Sequence, residues 1–137
     1  MPLLSNRIQV AYEDRSGRVW IGENLSTISA YDQYYHKFDV FKPNQNDQNS
    51  IQKNIIAIIE DNDGQIWLGS GTEGLSKYNP EKNHFEIFPP DVNHPGDVNI
   101  TSIYEDSSKN FWIATNNGVL GRYDAKKNDY IERHQYP

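Results

Sequence analysis

The sequence predicts an all-β chain made of three copies of one four-stranded antiparallel unit, on three observations. The three tryptophans, Trp20, Trp67 and Trp112, stand 47 and 45 residues apart. Three other markers keep the same spacing: the pairs Glu13-Asp14, Glu60-Asp61 and Glu105-Asp106; the tyrosines Tyr31, Tyr78 and Tyr123; and the aromatics Phe38, Phe85 and Tyr130. Finally, apolar residues alternate or run together in short segments between turn-forming residues, and no helical period persists.

Within a unit the elements follow in order. In the second copy, strands are expected at about 55–60, 65–69, 74–78 and 84–88. Ile55-Ile56-Ala57-Ile58-Ile59 is apolar and β-branched, as a strand buried on both faces requires. Asp63-Gly64 supplies a tight turn, because glycine takes positive φ without steric cost. Ile66-Trp67-Leu68 is again apolar on both faces. Short turns separate the third and fourth strands, so neighbours pair antiparallel. The fourth strand, ending at Phe41 or Phe88, alternates aromatic and polar residues, as an outer strand does. The units run over about 4–41, 51–88 and 98–133 in one segment spanning 1–137, and the two-residue difference in spacing falls in the polar stretch between Phe41 and Ile55.

A four-strand repeat of about 40–47 residues has the period of a β-propeller blade. The pattern Glu-Asp-x-x-Gly-x-apolar-Trp-apolar-Gly, followed by a Gly-rich turn, x-x-Tyr-Asp/Asn and Phe-x-x-Phe/Tyr, resembles the two-component regulator propeller repeat. The second copy matches best, through Trp67-Leu68-Gly69, Gly71, Gly74-Leu75 and Tyr78-Asn79-Pro80. The first departs at Glu23-Asn24-Leu25-Ser26-Thr27, the third at Lys109, Ala114 and Val119. The resemblance implies the periplasmic or extracytoplasmic sensor region of a hybrid two-component histidine kinase, with a glycan or glycan fragment as ligand and the kinase outside this chain.

A closed propeller has about four to eight blades, so three form an open arc with two apolar end faces. At about 25 cal/mol per Å² such faces leave many kcal/mol of burial unused. The arc is therefore expected to belong to a longer propeller or to associate with itself, most simply as a dimer.

The net charge of −6 excludes a generally basic nucleic-acid surface. No cysteine is present, so neither disulfides nor thiol chemistry enter. No apolar run reaches membrane-spanning length, no membrane contact is expected, and the first residues lack a secretory signal.

The remaining motifs read structurally. Glu and Asp of each pair point to opposite faces of a strand and do not converge as paired catalytic carboxylates. The aspartates Asp14, Asp61 and Asp106 instead accept turn N–H bonds. Asp61-Asn62-Asp63-Gly64 resembles a calcium loop, but Thr72 stands where the bidentate glutamate belongs, so a hairpin is expected and no metal. Trp20, Trp67 and Trp112, with Tyr31, Tyr78 and Tyr123, are assigned to structure between and within blades. His36, His84, His94 and His134 show no metal-ligand spacing. Tyr34-Tyr35 and Tyr130 are read as an outer-strand face. The sequons Asn24-Leu25-Ser26 and Asn99-Ile100-Thr101 are read as coincidental. No cofactor motif and no nucleophile–base pair is found.

Antiparallel topology places segments 42–54 and 89–99 on one rim with turns 23–27, 70–74 and 115–118. Loops on a rigid scaffold carry binding residues. The candidates are Arg7, Lys53 and Asn54 near the channel mouth and Glu23, Glu73 and Asn116 on the rim. The function expected is non-catalytic ligand sensing, with an oligosaccharide as the implied ligand. The alternatives are a protein-interaction scaffold and, last, a propeller lyase or hydrolase.

Overall fold

The structure, a computed structural model, describes residues 7–23, 27–88 and 93–137. The expected beginning of the first unit at residue 4, the sequon Asn24-Leu25-Ser26 and the first part of segment 89–99 lie outside them. Three four-stranded antiparallel sheets are present, each strand pairing with the next in sequence. The first is β1 (Ile8–Glu13), β2 (Arg18–Glu23), β3 (Ile28–Asp32) and β4 (Lys37–Phe41). The second is β5 (Ile55–Glu60), β6 (Ile66–Ser70), β7 (Gly74–Asn79) and β8 (His84–Phe88). The third is β9 (Ile100–Glu105), β10 (Phe111–Thr115), β11 (Val119–Asp124) and β12 (Asp129–Gln135). Among the described residues the helical content is one 3-10 turn, Pro95–Val98.

The sheets are propeller blades. Their first strands β1, β5 and β9 lie against one another and form the inner side of the arc. The core lies between blades rather than within them. Trp20 and Ile28 of the first blade pack on Ile55, Ile58 and Leu68 of the second. Trp67 and Leu75 of the second pack on Ile100, Ile103 and Ile113 of the third. Trp20 meets Tyr78 edge-on at 4.9 Å, and Trp67 meets Phe111 at 4.9 Å.

Each first strand carries a bulge at the same place, within 8–10, 55–57 and 100–102. The extra residue, Ile56 in blade 2, puts Ile55 and Ile58 on one face although they are three apart. This is why the strand reads as an unbroken apolar run. Glycine is needed where blades touch: a Cβ on Gly69 would stand 2.7 Å from Ile100 Cγ2 and 3.2 Å from Ala57 Cβ.

The hairpin between first and second strands is built three times by one carboxylate. Asp14 Oδ1 accepts from the backbone N–H of Ser16 and Arg18, and Asp61 Oδ1 from Asp63 and Gln65. Asp106 Oδ1 accepts from Ser108 and Asn110. The second oxygen of each takes the tryptophan indole N–H six residues on, at 2.9, 2.8 and 3.0 Å. The residue three after the aspartate has positive φ: Gly17 at 84°, Gly64 at 80°, and Lys109 at 65°.

The other hairpin on that rim also repeats. Tyr31, Tyr78 and Tyr123 hydroxyls pair with His36 Nδ1, Asn83 Oδ1 and Asn128 Oδ1, each partner in positive φ. Asp32, Asn79 and Asp124 accept the N–H groups two and three residues on. The repeated tyrosines thus lock a turn, a role the sequence marked as structural without giving its form.

Two outcomes follow for stability. Asp61→Ala removes the acceptor for a buried indole and two turn N–H groups, and urea unfolding should show a loss of about 3 kcal/mol. Lys109→Gly relieves a left-handed conformation and should gain about 1 kcal/mol, read as a rise in melting temperature.

Candidate ligand-binding surfaces

Two surfaces face solvent at opposite ends of the strands. The first is the rim where the blade connections meet the second-to-third strand turns. Gly71 N–H donates to the Asn54 carbonyl at 2.9 Å, and Asn116 N–H to the Asn99 carbonyl at 2.8 Å. Lys53 N–H donates to Glu73 Oε2 at 2.7 Å, and Ser70 Oγ to the Lys53 carbonyl at 2.6 Å. Lys53, Asn54 and Glu73 therefore stand together in blade 2. Asn116 is exposed in the equivalent turn of blade 3, and Arg7 is exposed ahead of β1. Glu23 ends β2 at this rim, but its side chain is 1% exposed and accepts from Ser29 Oγ at 2.6 Å. It is turned into the blade, where the second and third copies carry Ser70 and Thr115.

Behind this rim, Asp97 of the 3-10 turn receives a bidentate pair from Arg133 of β12, at 2.9 and 3.0 Å. This pins the connection between blades 2 and 3 to the outer strand.

The second surface is the rim of the aspartate turns, where clefts open between blades. The one between blades 2 and 3 encloses about 450 Å³, and the one between blades 1 and 2 about 360 Å³. Trp67 and Phe111 floor the larger cleft, and Gln65, Asn110, Lys77 and Arg122 edge it. Lys77 Nζ stands 5.3 Å over the Trp67 ring and 3.5 Å from Glu86. Arg122, cross-strand from Trp112, pairs with Glu132 at 3.4 Å. In blade 1 the cation over Trp20 is Arg18, at 4.8 Å, paired with Asp39. Every blade thus holds a cation beside its tryptophan, tied to an acid on the outer strand.

Sequence reasoning overlooked these clefts. A signal existed: Arg18, Gln65 and Asn110 hold one repeat position, and Ala30, Lys77 and Arg122 another. They differ where the frame around them repeats.

The repeated acids have no arrangement for acid–base work. Glu60 faces blade 1, where its Oε2 accepts from Arg15 N–H at 3.0 Å and the Arg15 guanidinium pairs with its Oε1. Glu105 Oε1 accepts from Asn62 N–H of blade 2 at 2.7 Å. Their neighbours Asp61 and Asp106 serve their own turns, so the carboxylates of a pair diverge. Hydrogen bonds from Trp112 and Asn110 bring the Asp106 carboxyl down to about 2. Burial pushes the Asp14 carboxyl up, but bonds from Ser16, Trp20 and Arg18 outweigh it and hold it below the usual range. Burial likewise raises Asp97, and the Arg133 pair outweighs it. These groups stay ionised acceptors near neutral pH rather than proton donors.

The fold and its thrice-made turn define a propeller of short repeats. The chain belongs to the two component regulator propeller family, whose model matches residues 2–24, 49–72 and 94–117. No curated protein matches it in sequence. Among solved structures it is similar to a catalytically inactive virginiamycin B lyase from Staphylococcus aureus with quinupristin, at 17% identity and a TM-score of 0.74. It is also similar to the extracellular domain of the hybrid two component system BT3049 from B. thetaiotaomicron, at 16% identity and a TM-score of 0.63. A third is U3-55K, at 9% identity and a TM-score of 0.71. The chain is covered over 100%, 95% and 95% of its length, but spans 44%, 24% and 39% of theirs. At these identities the likeness is one of fold. No helix among the described residues is long and apolar enough to cross a membrane.

The depressed aspartates set the acid behaviour. Their folded-state values lie below the unfolded one, so their contribution is whole above about pH 4 and is lost as pH falls toward 2. A carboxylate NMR titration should place the Asp106 midpoint near 2, and stability should fall across that window.

Proposed function

We propose that this chain is a ligand-sensing segment of a two-component sensor that holds a small hydroxyl-rich molecule, such as an oligosaccharide, outside the cytoplasm without chemically altering it. The cleft between blades 2 and 3 is the observation that carries the reading. Its volume of about 450 Å³ falls in the range of small-molecule sites. Its amide and cationic edge suits hydroxyls and carboxylates, and the partly buried Phe111 adds an apolar contact. The family and the likeness to an extracellular domain of a hybrid two component system support the setting. Because the walls belong to different blades, a ligand there bridges two blades and stiffens their relation. That is a mechanical signal a sensor can pass on without catalysis.

The test is a panel of neutral and acidic oligosaccharides titrated onto the chain by calorimetry. A ligand should bind, and Gln65→Ala should weaken it at least about tenfold with the fold intact, as loss of a buried polar contact does. Weakening by Glu73→Gln and none by Gln65→Ala would move the site to the opposite rim. A chemically changed ligand would favour the lyase or hydrolase reading, and a silent panel beside capture of a protein would favour the scaffold.

A further inference from the structure

The turn between β10 and β11 holds a chemically labile pair, Asn117-Gly118, the one Asn-Gly pair of the sequence. The fold requires this glycine. Its φ is 85°, and a Cβ there would stand 2.4 Å from the Tyr136 carbonyl oxygen. With no side chain at 118, the backbone nitrogen after Asn117 is open to the asparagine's own amide carbon. The counterpart in blade 2, Gly74, also has positive φ, at 94°, but Glu73 precedes it. The longer glutamate side chain cannot close the five-membered ring that an asparagine closes.

The contacts of Asn117 favour that closure. Thr115 Oγ1 donates to Asn117 Oδ1, which polarises the side-chain carbonyl and stabilises the negative charge it gains under attack. Gln135 Nε2 donates to the Asn117 main-chain carbonyl, which draws electron density from the following peptide group and makes its N–H more acidic. That N–H, of Gly118, donates to the Thr115 carbonyl at 3.2 Å, the long end of the N–H···O range. Asn117 is exposed, so water reaches it.

We infer that Asn117 is a site of spontaneous deamidation, and that its conversion loosens the connection between blades 2 and 3. The Gly118 nitrogen gives its proton to solvent and attacks Asn117 Cγ. The new C–N bond closes a succinimide as the Cγ–Nδ2 bond breaks, and Nδ2 leaves as ammonia with a proton taken from solvent. Water then opens the ring at either carbonyl, giving aspartate or isoaspartate. The consequence follows from where Asn117 points. Its Nδ2 donates to Asp97 Oδ1 at 3.4 Å, beside the Arg133 pair that pins the connection. In blade 2 the polarity is reversed, because Glu73 accepts from the Lys53 N–H of its connection. A carboxylate suits position 73, where it meets a donor. At 117 it meets the buried Asp97, so deamidation replaces a donor with a like charge. Isoaspartate also lengthens the main chain in a turn that Tyr136 N–H fixes, by donating to the Gly118 carbonyl at 2.7 Å.

The experiment ages the 137-residue chain in neutral buffer at body temperature and maps its tryptic peptides by mass spectrometry. Residues 110–122 leave as one peptide, which carries Asn110 and Asn116 as internal comparisons for Asn117. Residue 117 should gain the mass of an amide-to-acid exchange ahead of both, with isoaspartate the larger product, on the timescale of the free synthetic peptide 110–122. Asn117→Asp installs one product directly and should lower the melting temperature by a few degrees, whereas Asn117→Gln should leave it near that of the natural chain and stay unmodified. An amide still intact at 117 in the folded chain when the free peptide has reacted, or conversion at 110 or 116 first, would overturn the site. Asn117→Asp melting together with the natural chain would overturn the loosening.

Discussion

The hydrogen bond from a tryptophan indole to a turn aspartate is the constraint on which the rest of this structure depends. One carboxylate serves two purposes. Its Oδ1 closes the hairpin through two backbone N–H groups, and its Oδ2 fixes the indole of the second strand. The first bond sets the turn and hence the register of the inner two strands. The second sets where the largest apolar side chain of the blade lies. The net gain per hydrogen bond is only about 1 kcal/mol. The larger effect is positional, because an indole held at one end buries its whole surface against the next blade. A local turn thereby becomes a long-range packing instruction.

The blade joint follows from that placement. With Trp20 fixed, the isoleucines of β5 have a surface to meet, and Glu60 comes within reach of the Arg15 N–H. The repeated glutamate belongs to the neighbour's turn rather than to its own blade. The Glu-Asp pair is therefore one sequence motif divided between two structural units, which accounts for its recurrence better than any shared chemistry. The exposed guanidinium of Arg15 adds little, being screened by water.

Much of the fold was legible in the sequence because repetition converts weak local signals into a period. Strands, turns, blade order and the turn role of aspartate all followed from four markers in phase. The first-strand bulge did not, because Ile55-Ile56-Ala57-Ile58-Ile59 offers no polar residue to mark the extra position. The role of glutamate was hidden because its partner is a backbone N–H about 45 residues away, and backbone groups leave no trace in composition. Glu23 read as a rim residue because its strand ends there. Only the structure shows its side chain folded back onto Ser29. Lys109 concealed a left-handed turn position, since lysine gives no hint of positive φ where the earlier copies carry glycine.

The clefts were missed for a more instructive reason. A repeat draws attention to what recurs, and what recurs here is the frame: aspartate, tryptophan, tyrosine and the glycine turns. The positions beside each tryptophan do the opposite. Alanine, lysine and arginine succeed one another at one of them, and arginine, glutamine and asparagine at the other. Ala30 is buried in the core between blades 1 and 2, but packing does not dictate the other five, which line the clefts. Freedom from packing is what a ligand-reading position needs, because its identity can then follow the ligand without cost to the blade. If the cleft holds the proposed ligand, the residues that break the repeat at its edge are where its specificity is set.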